Sequence, residues 1–155
     1  MPVALGAALL EELGWRGFAL SALEARYKPL VASLIVGLGW GLWHLRLNAT
    51  MLAADHSLLA NLLLPWGPVG LMAWSVLMGW VYNHGRQSLL LMVLFHFSLT
   101  GSFFVFGPPL SAPDADWLRF DLASLAVLWG AILVGLAIGA ARLPNVVRPE
   151  TAASD

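Results

Sequence analysis

Four stretches of the chain carry no Asp, Glu, Lys or Arg: residues 29–45, 56–85, 87–113 and 122–141. A helix needs about 20 apolar residues to cross the ~30 Å hydrocarbon layer of a bilayer. Three of these runs reach that length, and 29–45 comes close. The pattern predicts five main helices: A over about 3–24, B over 29–47, C over 67–84, D over 87–106 and E over 119–142. Residues 51–64 are apolar but short and end at Pro65. They predict an interfacial or re-entrant piece, not a further span. Gly107, Pro108, Pro109 and Pro113 break the chain before Trp117, because proline cannot supply a helix donor. The expected fold class is all-α. It is a polytopic transmembrane helix bundle of about five spans plus the short segment, forming one domain over 1–143 with a polar tail over 144–155.

Composition strengthens that expectation. Apolar residues make up 59% of the chain and charged residues 11%, against about 25% charged in an ordinary soluble domain. A net charge of −1 with no basic stripe argues against a nucleic-acid partner. The absence of cysteine excludes disulfides, iron–sulfur clusters and thiolate zinc sites. No cleaved signal peptide is expected, since Glu11 and Glu12 interrupt the first apolar stretch and no basic region precedes it.

Loop charges give an orientation. Arg26 and Lys28, Arg86, and Arg142 and Arg148 fall on one side if 51–64 does not cross; Arg46 and Arg119 fall on the other. The positive-inside rule then places the A–B loop, the C–D loop and the C-terminus in the cytoplasm. Small residues recur every fourth position, at Ser33, Gly37 and Gly41 on helix B and at Ala131, Gly135 and Gly139 on helix E. That spacing lets helix backbones approach closely in lipid. His44 follows Gly37 by seven residues and shares its face.

Ionisable groups inside apolar spans are costly and mark function. There are three such places: Glu11, Glu12 and Arg16 in Glu-Glu-Leu-Gly-Trp-Arg-Gly-Phe, His44 in Gly-Leu-Trp-His, and His96 in Phe-His-Phe-Ser-Leu-Thr. On an α-helix Glu12 and Arg16, four apart, can pair on one face, whereas Glu11 and Arg16, five apart, point differently. Glu11 is thus expected to lack a counter-ion, as a candidate general base would. Counting back from the A–B loop puts Glu11 and His44 at nearly the same depth on antiparallel neighbours. His96 can pair with Thr100 one turn on. His56 and His84 fall at span ends, and the eight tryptophans read as interface anchors and packing groups. One carboxylate and two imidazoles converging in an apolar bundle form a candidate hydrolytic site.

Glu11-Glu12-x-x-x-Arg16, Trp40-x-x-x-His44 and His96-x-x-x-Thr100 resemble the three motifs of the CAAX-protease and bacteriocin-processing (Abi) family, which includes the type II CAAX prenyl endopeptidases. The resemblance runs from about residue 8 to residue 104. It implies an intramembrane endopeptidase in a bacterial cytoplasmic membrane, acting on membrane-associated protein or peptide substrates, CAAX-like or other. By the same resemblance Glu11 and His44 activate a water. His96 and the residue four positions later hold the oxyanion, and Glu12 and Arg16 support the site. The family usually has asparagine where this chain has Thr100, and a hydroxyl lacks the reach of an amide. Family members usually carry further spans before the Glu-Glu motif, while this chain starts ten residues before it, as a fragment or a reduced member would.

No cofactor is favoured by the spacing, because no compact ligand pair such as HExxH is present. Zinc held by Glu11, His44 and His96, in a metalloprotease-like site, is the alternative. Two other functions compete with proteolysis. One is a non-proteolytic immunity or partner-regulating membrane protein of the same fold. The other is a transporter fragment with a proton relay, which would need polar residues in more spans than these.

Overall fold

The computed structural model describes residues 2–51, 62, 66–109, 112 and 114–138. Helix α1 (Pro2–Glu12) passes without a break into a π-helical segment (Leu13–Leu20) and then into α2 (Ser21–Glu24). The remaining helices are α3 (Pro29–Met51), α4 (Pro68–His84), α5 (Leu89–Phe106) and α6 (Asp114–Ala137). The described residues are all-helical, with no strand among them.

Local chemistry sets several boundaries. Gly67 is extended and Pro68 opens α4, where a missing N–H goes unneeded. The Ser88 hydroxyl caps α5 by accepting from the Leu91 amide. Between these helices Arg86 and Gln87 both adopt positive φ, at 55° and 57°, and the Gln87 amide donates back to the Tyr82 carbonyl.

The predicted helices A to D appear close to their expected limits, with α3 running to Met51. Helix E differs. It begins at Asp114, not at 119, because Asp116 and Arg119 pair with each other on the exposed first turns of α6. The interfacial piece over 51–64, His56, the end of helix E and the tail lie outside the described residues, apart from Met51 and Leu62.

Helices α3 and α4 form the tightest pair. A Cβ on Gly37 would overlap the Met72 backbone, one on Gly41 would overlap Pro68, and one on Gly79 would overlap the Ser33 hydroxyl. The Ser33/Gly37/Gly41 stripe is therefore a true contact face. Of the matching stripe on helix E, Ala131 is exposed and Gly139 lies outside the described residues, while α6 packs through Leu128 and Ile132 against Ala73 and Val76. Leu20, Ala32, Val36, Trp40, Leu71, Met78, Tyr82 and Met92 make the main core, on which the π segment, α3, α4 and α5 converge. Among the described residues one helical stretch, Ala115–Ala137, is long and apolar enough to cross a membrane, while Pro29–Leu45 and Leu89–Phe103 are apolar but shorter.

Candidate active site

Glu12 and Arg16 sit where α1 gives way to the π segment, and both are fully buried. Arg16 Nη1 donates to Glu12 Oε1 at 2.9 Å, the expected pair. A second partner was not legible in the sequence: His96 Nδ1, from α5, meets the same Glu12 oxygen at 2.7 Å. Arg16 Nη2 reaches Met78 Sδ at 3.2 Å, and its guanidinium carbon lies 4.6 Å from the centre of the Trp40 ring, within cation–π range.

His96 is 6% exposed, and no hydrogen bond joins it to Thr100, one turn on. The expected His96–Thr100 pair is corrected: the imidazole turns toward a carboxylate 84 residues away in sequence. A carboxylate oxygen accepts, so His96 Nδ1 carries a proton toward Glu12. Thr100 is half-buried.

Glu11 makes no ion pair among the described residues, in line with the sequence reading, but it does accept a hydrogen bond. Trp40 Nε1 donates to Glu11 Oε2 at 2.8 Å. The Glu11 carboxylate is also within electrostatic reach of the Arg16 guanidinium. The α-helical face argument stops applying at Leu13, where the backbone turns π and its hydrogen bonds run five residues apart instead of four. Such turns cluster at functional sites.

His44 lies one turn after Trp40 and its Nδ1 donates to the Trp40 carbonyl oxygen at 3.2 Å. This fixes the proton on Nδ1 and leaves Nε2 as the basic nitrogen of the neutral ring. The half-buried imidazole feels the charges of both Glu11 and His96, which supports the depth match read from the sequence. Trp43 meets its ring edge-on at 5.0 Å, and Trp66 stacks on it at 6.4 Å and 23°. Trp66 also lines an apolar cavity of about 110 Å³ with Trp74, Leu99, Phe103, Phe120 and Leu128.

Sequence reasoning missed Trp40 as a hydrogen-bonding group and Met78 as a neighbour of Arg16. The first had a signal, an indole one turn before the histidine on the glycine face; the second had none. The donors by themselves do not decide the zinc alternative, since a metal-ligating histidine ordinarily gives its other ring nitrogen to a carbonyl or carboxylate. Glu11, His44 and His96 each already commit one polar atom to a protein partner. No group of three His, Asp or Glu side chains among the described residues gathers as a metal-ligand set.

The described residues, all helical, bury a Glu–Arg pair with a histidine from α5 on the same carboxylate, which marks a helical protein that keeps charged groups inside an apolar core. Residues 1–101, which hold every residue of the cluster, match the family of Rce1-like type II CAAX prenyl endopeptidases. The chain belongs to that family. It is 33% identical over 98 residues to CAAX prenyl protease 2 of Methanococcus maripaludis, a match covering 59% of this chain. The chain spans 34% of that relative's length. No solved structure matches.

Proposed function

We propose that this protein is an intramembrane endopeptidase that hydrolyses peptide bonds of membrane-associated protein substrates with a water activated by Glu11 and His44. The observation that carries this reading is the shared anchoring of those two groups. Trp40 holds the Glu11 carboxylate through its indole and the His44 ring through its carbonyl. A water donating one hydrogen to Glu11 and the other to His44 Nε2 turns a lone pair toward the scissile carbonyl. Attack forms the new C–O bond and passes a proton to Glu11. His96 as the imidazolium, with its Nδ1–H on Glu12, donates its Nε2–H to the developing oxyanion. Collapse breaks the C–N bond as the Glu11 proton moves to the leaving amine. These steps use no metal.

Several observations support a multi-pass membrane location. Leu10, Phe18, Leu90, Val105 and Val127 are all about 70% exposed, which in water would be an aggregation surface. The basic loops then put the A–B loop, the C–D loop and the C-terminus in the cytoplasm. The domain reading is kept as 1–143 with a polar tail over 144–155.

The test is cleavage of a quenched membrane-anchored peptide by the purified chain in nanodiscs, run in H₂¹⁸O. One labelled oxygen in the new carboxylate, lost turnover in Glu11→Gln and His44→Ala, and intact folding of both variants are expected. A second reading, a non-proteolytic partner-regulating protein of the same fold, draws support from Thr100, which makes no bond to His96. A folded wild-type chain that cleaves no peptide, with or without a prenyl group, would favour it.

A further inference from the structure

The indole N–H of tryptophan is a donor only and, when buried, normally finds an acceptor. Trp40 is fully buried, and its acceptor is one oxygen of Glu11, at 2.8 Å. The same residue's carbonyl holds His44 at 3.2 Å. Its ring lies 5.2 Å from the His96 ring and 4.6 Å from the Arg16 guanidinium carbon. The helix that carries it is locked in place, because Gly37 and Gly41 leave no room between α3 and α4. We infer that Trp40 is the positioning residue of the site, its indole N–H fixing Glu11 Oε2 so that Oε1 is the oxygen presented to the water beside His44. This deepens the proposed proteolytic reading and rests on it.

A packing role alone would make any large aromatic ring equivalent at this position. The positioning role makes the N–H indispensable, since small misplacement of a reacting group costs rate steeply. Trp40→Phe keeps a ring against Arg16 and removes only the donor. It should lower kcat about tenfold or more, the scale of a hydrogen bond to a charged group, with KM within about threefold. An unchanged kcat in a folded Trp40→Phe protein overturns the inference.

A second measurement does not depend on that variant being active or well folded. The eight tryptophans of the ¹⁵N-labelled full chain in nanodiscs give separate indole N–H signals. That of Trp40 is assigned by its loss in Trp40→Phe or, if that variant does not fold, in Trp40→Tyr. A charge-assisted bond requires this signal to move upfield in Glu11→Gln, and a signal that stays in place overturns the inference. If the wild type cleaves no peptide, the proteolytic reading fails by itself, and the indole signal still decides whether Trp40 holds Glu11.

Discussion

Replacing each of the two adjacent glutamates by glutamine separates charge pairing from chemistry. Glu12 Oε1 takes the Arg16 guanidinium at 2.9 Å and the His96 ring at 2.7 Å, and both charged partners of the ion pair are fully buried. Glu12→Gln leaves the size of the side chain alone and strands a buried cation. Losing one partner of a buried pair costs about 3–5 kcal/mol, a large share of a typical 5–15 kcal/mol stability. At about 2–4 °C per kcal/mol for a chain of this size, melting in detergent should fall by roughly 10 °C. Glu11→Gln strands no cation, because its partner is the neutral Trp40 indole. Its melting temperature should stay near wild type while single-turnover cleavage drops by about 10²–10⁴-fold.

The double variant Glu12→Gln/Arg16→Met isolates the second job of Glu12. With no cation left to strand, stability should return, since an apolar replacement for a buried pair is often neutral. Turnover should not return, because His96 still lacks the carboxylate on Nδ1 that orients it. Melting temperature and single-turnover cleavage, measured on all three variants, form the assay. Recovery of turnover in the double variant would refute the role of Glu12 toward His96. A Glu12→Gln protein as stable as wild type would refute the charge argument.

Gly37→Ala should cost about 1–3 kcal/mol, as overpacking does, because its new methyl meets the Met72 backbone; Gly6→Ala, with open space around it, should be neutral or stabilising in the same melting experiment. Gln87→Gly relieves a positive φ of 57° and should raise the melting temperature by about 1–3 °C, an unchanged or lower value counting against strain there. Phenanthroline and EDTA should leave both turnover and melting unaltered, and loss restored by added zinc would reverse the metal-free proposal. Thr100→Asn should keep or raise turnover, since an amide can supply a donor where the hydroxyl makes no bond to His96; a tenfold loss would show that Thr100 already acts in the site.

What the sequence revealed, and what it hid, follows from the range of each interaction. The Glu12–Arg16 pair and the Gly37/Gly41 face depend on spacings of four, and both are present. Helix ends at Pro68 and Ser88 follow from capping and proline chemistry within one turn. The start of α6 was misplaced because Asp114, Asp116 and Arg119 look like loop residues, yet at an exposed helix end such charges carry little cost. His96 was matched with Thr100 because only local partners can be counted along a chain. Its true partner depends on α1 lying against α5, which no spacing encodes.

The π segment is the deepest case. An α-helical wheel assigns Glu11 and Glu12 to different faces and then divides their roles by that angle. The backbone changes its winding directly after Glu12, so the wheel no longer fixes where Arg16 lies relative to Glu11. The proposed division of roles rests instead on the partners. Glu12 accepts from a cation and an imidazole, whereas Glu11 accepts from a neutral indole. The first carboxylate meets a cation and an imidazole through one oxygen, whereas the second gives one oxygen to a neutral indole and enters no ion pair among the described residues. The partners, not the helix face, are what separates the proposed support, Glu12, from the proposed base, Glu11.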